Sequence, residues 1–366
     1  MQQEHADVVV LFSGGLDSLL TALLLREQGL AVRCLHGISP FFGDAAALAG
    51  WQEEYGLPFD ALDVGEDMAT MLRDWPAHGF GKVMNPCVDC KILLLRRARA
   101  YMERVGAQAI ATGEVMGQRP MSQRRDTLNV IEREAGVKGL LLRPLSAKLL
   151  LPTLAEQNGL VDRDKLLAIS GRGRTEQLAL AAHFGLRHIP TPGGGCRLAE
   201  KENARRYWPV LTRMPQASAT DFALANVGRQ LWREGADRAW FWLCVGRNQA
   251  DNAGLAPLWR EGDLLLELAD AQGPLALARN GQHWPDAVLR EACAVTASYA
   301  TRAVAERPGQ ALAVRLYTPD GREQGTCSTL PARNAQWQTP AWDSVHTAIR
   351  AEAKIRQGAA QNPLQT

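Results

Sequence analysis

The sequence predicts an α/β protein: an open parallel sheet followed by a second, smaller domain of mixed α/β or mostly β character. Three observations carry this. ADVVVLF (6–12) is an unbroken apolar, β-branched run, as a strand buried on both faces requires. Apolar strands then alternate with helical stretches at a spacing that suits right-handed crossovers. From about Thr220 the texture shifts to Trp, Gly and short strands separated by turns.

The elements follow in order. After ADVVVLF, SGGLDS is a turn, and LLTALLLREQG reads as a helix stopped by Gly29. AVRCLHGI (31–38) is a second strand, DAAALAGWQEEYG a helix and FDALDV a third strand. KILLLRRARAYMERVG is an amphipathic helix, and AQAIAT (107–112) the next apolar strand. Between about 148 and 200 the pattern is helical and ends in the loop PTPGGGCRLAE. ENARRYWPVLTRMP reads as a connecting helix, and RAWFWLCVG and DLLLELA as strands of the second domain. We expect a catalytic domain at 1–203, a linker helix at 204–220, a second domain at 221–345 and a tail at 346–366.

The chain has 366 residues, 46% hydrophobic and 22% charged, an ordinary globular composition with room for two cores. VVVLF is too short for the apolar part of a leader, and charges interrupt every longer apolar stretch, so a membrane is not expected and a cytoplasmic location is. Seven cysteines in such a chain point to free, catalytic or metal-bound thiols rather than a disulfide framework. The formal net charge of +2 says little about nucleic acid. Between Lys91 and Lys148, however, twelve Lys and Arg face five Asp and Glu, which suits either a solvated helix face or an anionic partner.

SGGLDS (Ser13 to Ser18) closes a strand and opens a helix, the place where backbone N–H groups and a helix N-terminus bind an anion. Gly14 and Gly15 permit close approach, and the Ser13 and Ser18 hydroxyls can donate to the same oxygens. Asp17 would repel phosphate directly, so its carboxylate suggests Mg²⁺ bridging to pyrophosphate oxygens. Neither G-x-x-x-x-G-K-[ST] nor G-x-G-x-x-G is present here. In this setting SGGLDS resembles the signature of the PP-loop ATP pyrophosphatase superfamily, whose fold is adenine nucleotide α-hydrolase-like. The resemblance implies ATP cleaved between its α- and β-phosphates, with AMP passed to a substrate oxygen. TGEVMGQRPMSQ (112–123) is similar to the TGE-x-x-GQ segment of tRNA 4-thiouridine synthases, which implies nucleotide-pocket roles for Gly113, Glu114 and Gln118. Glu114 and Gln118 would touch ribose, base or Mg²⁺, or else satisfy loop backbone. RPLSAK (143–148) resembles the RPL…K segment of the same family, which implies that Arg143 and Lys148 neutralise phosphate; a solvated or salt-bridged pair is the plainer reading. NPCVDC resembles the NPC-x-x-C of tRNA 2-thiouridylases. The phosphate loop starts at Ser13, so none of the N-terminal RNA-binding domains of the 4-thiouridine synthases is expected.

Cys34, Cys244 and Cys293 sit in apolar elements and read as small buried hydrophobes, while Cys327 is uninformative. Cys87 and Cys90 stand before a helix, where its dipole and nearby Lys and Arg would lower a thiol pKa. The loop of Cys196 is the one comparable setting for a further cysteine. A zinc site would add His183 or His188 to these three. The same three match the pattern of iron–sulfur-dependent tRNA thiolases, in which a 4Fe-4S cluster leaves one iron without a protein ligand and open to sulfide. A persulfide on one cysteine, resolved by another, is the cluster-free alternative.

The resemblance therefore implies an ATP-dependent tRNA sulfurtransferase, forming AMP and pyrophosphate. Its catalytic residues would be Asp17, Lys148, Cys87 and Cys196, and its cluster ligands Cys87, Cys90 and Cys196. Its partners would be tRNA and a sulfur donor, a protein persulfide or sulfide; a homodimer is left open. The rival is a PP-loop amidotransferase or ligase that uses ammonia and binds zinc structurally. Residues 235–345 resemble an NFACT-type RNA-binding module at VGRN, Asn252 to Leu258, GDLLLE and GPLALAR. That resemblance implies RNA contacts from Arg247 and Asn248, with base stacking by Trp232, Trp240 or Trp242 set against a core role. GRGRTEQ (171–177) is a further RNA-backbone candidate.

Overall fold

The computed structural model describes residues 5–190 and 195–361, with side chains as far as Arg356. Two compact units divide the chain at Glu200 and Lys201.

The first unit runs β1 (Val8–Leu11), α1 (Leu16–Glu27), β2 (Val32–Ile38), α2 (Ala47–Tyr55), β3 (Phe59–Asp63), α3 (Gly65–Arg73), α4 (Cys87–Val105), β4 (Ala109–Thr112), α5 (Arg125–Ala135), β5 (Leu141–Leu142), α6 (Leu154–Gln157) and α7 (Thr175–His183). Its strands form one parallel sheet in the order β3-β2-β1-β4-β5. Alternation along β1 explains its uninterrupted apolar run. Val8 and Val10 pack into one core with α1, whereas Val9 packs with Ile92 and Leu95 of α4 on the opposite face. The order reverses between β1 and β4, which opens a crevice beyond the carboxyl ends of those two strands.

Where sequence and structure differ, local chemistry explains it. α4 starts at Cys87 rather than after the cysteine pair, because the Cys90 amide already closes a turn onto the Pro86 carbonyl at 2.8 Å. The helical expectation for 148–200 yields only the short α6, α7 and isolated turns. Ala155 of α6, with Val161 and Leu166, joins the core that holds β1 and α1, and Ile169 packs with Leu16 and Leu20 of α1.

The second unit runs α8 (Lys201–Arg213), α9 (Ala219–Leu224), β6 (Arg229–Glu234), β7 (Trp240–Val245), α10 (Gln249–Leu255), β8 (Leu264–Leu268), β9 (Ala276–Arg279), α11 (Asp286–Ser298), α12 (Thr301–Glu306), β10 (Leu312–Tyr317), β11 (Glu323–Thr329) and α13 (Trp342–Gln361). Its sheet is antiparallel, in the order β11-β10-β8-β9-β7-β6. The helix expected as a linker is α8, which belongs to this unit and packs on α13. Most of the expected tail is α13 itself, and residues 362–366 lie outside the described ones. Trp232 and Trp242 stack face to face in the core with ring centroids 4.8 Å apart, so neither is a free stacking platform. Trp240 lies under the Arg213 guanidinium at 3.5 Å.

Candidate functional site

Strand β1 ends at Leu11 and the chain turns through Ser13–Gly15 into α1. Gly14 adopts φ +78°, which favours glycine, and a Cβ there would crowd the Trp51 ring at 3.2 Å. The Ser18 hydroxyl donates to the Gly15 carbonyl at 2.8 Å and accepts from the Ser13 amide at 3.2 Å, which fixes the loop's curvature. The α1 N-cap is Gly15, with no side chain capping the first turn, so its amides are left for an anion. His36 on β2 holds the loop from behind. Its Nδ1 donates to the Phe12 carbonyl at 2.8 Å and its Nε2 accepts the Asp44 amide at 3.1 Å. Burial lowers its pKa, in keeping with this neutral, structural imidazole.

Strand β4 delivers Gly113 against the same turn. A Cβ on Gly113 would stand 2.4 Å from the Asp17 carbonyl carbon and 2.5 Å from the Ser18 nitrogen. This glycine serves close approach between two backbones. Beyond it, Gln118 Nε2 donates to Asp17 Oδ2 at 3.0 Å, while Asp17 Oδ1 is buried with no hydrogen-bond partner. An orphaned carboxylate oxygen beside an anion-binding turn fits a Mg²⁺ ligand.

The cysteines share this crevice. One cavity of about 250 Å³ is lined by Ser13, Gly15, Asp17 and Ser18 and also by Cys87, Cys90 and Cys196. Cys196 reaches it because its loop is stitched to two others: Arg197 N donates to the Phe41 carbonyl at 2.9 Å, and Met84 N to the Leu198 carbonyl at 3.1 Å. Asn85 Nδ2 donates to Cys87 Sγ at 3.2 Å. The expectation of a lowered thiol pKa fails for Cys90. Burial, then the neighbouring Cys196 and Cys87, pushes Cys90 well up, and burial pushes Cys196 to about 11 against the pull of the Leu198 and Ala199 amides. Among the described residues no three His, Cys, Asp or Glu side chains converge as the ligands of a single metal ion do. His183 and His188, candidates for a zinc site, pair instead with Glu27 and Glu54 at the surface and do not line the cavity. Three thiols line the one cavity, and thiolate is the donor type that an iron–sulfur cluster takes.

Of the remaining sequence candidates, Glu114 lines the cavity and Arg143 and Lys148 do not. Arg143 is buried, bonded through Nε to Glu114 Oε2 at 2.9 Å and through Nη1 to Glu132. Lys148 is exposed and donates to the Asp164 carbonyl at 2.8 Å. The cations that do line the cavity are Lys91 and Arg119. Lys91 pairs with Glu114 Oε1. Burial works against the Glu114 carboxylate, yet Lys91 and Arg143 outweigh it and hold its pKa at about 2. Lys91 could have been found from its place directly after the second cysteine, and Arg119 from its place after Gly117–Gln118.

In the second unit, Arg247 is bonded to Asp251 (Nε to Oδ2, 2.6 Å), and Asn248 caps α10 by accepting the Asp251 amide at 2.9 Å. Asp263 of GDLLLE and Arg279 of GPLALAR form a buried ion pair at 2.6 Å. Packing and capping therefore explain several residues that carry the NFACT resemblance.

Residues 3–148 match the family described as thiamine biosynthesis protein (ThiI). Over those residues the chain is similar to the ThiI family. The chain is 30% identical over 124 residues to the probable tRNA sulfurtransferase of Methanosarcina acetivorans, across 31% of this chain and 29% of that protein. It is 30% identical over 166 residues to the tRNA-specific 2-thiouridylase MnmA of a Synechocystis strain, across 40% of this chain and 44% of that protein. The chain thus spans less than half the length of either relative. The solved U34-tRNA thiolase NcsA of Methanococcus maripaludis, with its 4Fe-4S cluster, overlaps 51% of this chain and 60% of its own at 18% identity and a TM-score of 0.28, too slight a likeness to carry an argument. No helix among the described residues is long and apolar enough to cross a membrane.

Proposed function

We propose that the chain is an ATP-dependent tRNA sulfurtransferase that converts a uridine carbonyl to a thiocarbonyl. The observation that carries this is the single cavity holding both the Ser13–Ser18 turn and the three thiols. Either feature alone suits many reactions; together they suit activation by ATP followed by attack of sulfur.

In the first step the uridine carbonyl oxygen attacks the α-phosphorus of ATP, the bond to the β-phosphate oxygen breaks, and pyrophosphate leaves. The α1 amides and the Ser13 and Ser18 hydroxyls bind the phosphates, and Asp17, steadied by Gln118, holds Mg²⁺. In the second step sulfur attacks the activated carbon, the C–O bond breaks, AMP departs and a C=S bond remains. Cys87, Cys90 and Cys196 would hold a 4Fe-4S cluster, which supplies an open iron for sulfide. The cluster-free alternative is a persulfide on one of these cysteines, resolved by another. The second unit is proposed to contribute to tRNA binding.

Nucleoside mass spectrometry tests the reaction: protein, ATP, sulfide and unmodified tRNA should yield a thionucleoside only with ATP. Protein prepared without oxygen should be brown and contain iron and acid-labile sulfide, and lose both when any of the three cysteines becomes serine. Colourless, iron-free protein that thiolates fully in air would remove the cluster and leave the persulfide route. ATP-dependent incorporation of ammonia in place of sulfur would establish the amidotransferase.

A further inference from the structure

We infer that Lys91 is a catalytic residue of this cavity, the cation that contacts the α-phosphate as uridine is adenylated and as AMP departs. The inference rests on the reading above and assigns a charge that reading leaves unassigned. The bonds made and broken are those of the two steps already given; Lys91 supplies charge and hydrogen bonds and transfers no proton.

Three observations support it. First, the basic residues of RPLSAK are elsewhere: Arg143 is locked between two carboxylates and Lys148 is at the surface. Second, Lys91 lines the same cavity as Cys87, Cys90 and the Ser13–Ser18 turn, so one cation is available to both the nucleotide and the sulfur residues. Third, its pairing positions it without consuming it. An ammonium has three N–H donors, and the Glu114 pair uses one. Glu114 keeps the Arg143 Nε bond at 2.9 Å and accepts from the Thr112 hydroxyl at 3.3 Å. A lean toward a phosphate that keeps the Glu114 Oε1 bond therefore leaves the buried carboxylate paired. Glu114 is its positioning residue.

The test compares full-length wild type, K91M, K91R and K148A. It measures melting temperature, affinity for a non-hydrolysable ATP analogue, and tRNA-dependent release of pyrophosphate and formation of thionucleoside. K91M should melt below wild type, because it removes one partner of the buried Glu114 carboxylate, and should bind the analogue less than roughly tenfold more weakly. It should lose about 10²–10³-fold in pyrophosphate release, the usual effect of removing one preorganised donor. K91R should regain part of that loss, and K148A should behave as wild type. If K91M proves unstable, K91R against K148A carries the comparison. K91M or K91R within twofold of wild type, or a K148A protein that loses the activity instead, would overturn the inference. Wild type that releases pyrophosphate but makes no thionucleoside would sink the sulfur-transfer reading and leave Lys91 to be judged on pyrophosphate release. Wild type that binds no analogue and releases no pyrophosphate would overturn both.

Discussion

Gln118 Nε2 donates a hydrogen bond of 3.0 Å to Asp17 Oδ2, tying the loop after β4 to the first turn of α1 and leaving Asp17 Oδ1 buried without a partner. That orphan oxygen is where Mg²⁺ would be held. Asp17→Asn keeps the shape and removes the charge. It should abolish the Mg²⁺ dependence of nucleotide binding while leaving the melting temperature nearly unchanged, as titration calorimetry with and without Mg²⁺ would reveal. Equal Mg²⁺ dependence in the two proteins would refute the assignment.

Gly113 is required for space. An alanine methyl would stand 2.4 Å from the Asp17 carbonyl carbon, and backbone cannot yield as a flexible side chain does. Gly113→Ala should cost about 1–3 kcal/mol, as overpacking does, and weaken nucleotide binding by displacing the phosphate turn. Urea denaturation and nucleotide affinity measure the two effects.

Glu114 sets a pH dependence with a definite sign. Its pKa is held at about 2 in the folded state, below the 4.5 of an unperturbed glutamate, by Lys91 and Arg143 against the opposing effect of burial. A depressed folded pKa means the stabilisation is fully present above the unfolded value and is lost as pH falls from about 4.5 toward 2. The contribution is on the order of 3 kcal/mol. Glu114→Gln should be destabilised at neutral pH, and its gap from wild type should narrow through that acid window. A gap constant with pH would show that the pair contributes packing alone.

Arg143 and Lys148, neighbours in one motif, should behave oppositely. Arg143→Met strands Glu114 and Glu132 and should cost roughly 3–5 kcal/mol, the usual penalty for half of a buried ion pair. Lys148→Ala removes an exposed side chain and should stay within about 0.5 kcal/mol, with nucleotide affinity unchanged. Thermal melts of both variants, with nucleotide affinity for Lys148→Ala, decide between structural and nucleotide roles.

These contrasts mark how far the sequence could be read. The parallel sheet was legible because both faces of β1 are buried, so its pattern is continuous rather than alternating. The phosphate turn was legible because its constraints are local: two glycines, two hydroxyls and a helix start. Cys196 was legible as a residue type in a glycine-rich loop, but its arrival beside Cys87 depends on backbone bonds from Arg197 to Phe41 and from Met84 to Leu198, which no spacing encodes. Lys91 was not singled out and Arg143 was, because which basic side chain lines the cavity depends on where the carboxylates sit. Glu132, on an α5 that the periodicity did not reveal, draws Arg143 inward.

The most direct measurement of the central claim is complementation between two inactive variants. Asp17→Asn removes the ATP end and Cys196→Ser the sulfur end of one cavity. Each variant alone should form no thionucleoside on tRNA, and an equimolar mixture should form none either, because no single cavity in it is complete. A mixture that regains a substantial fraction of wild-type thiolation would contradict a shared cavity and place ATP activation and sulfur delivery at separate sites.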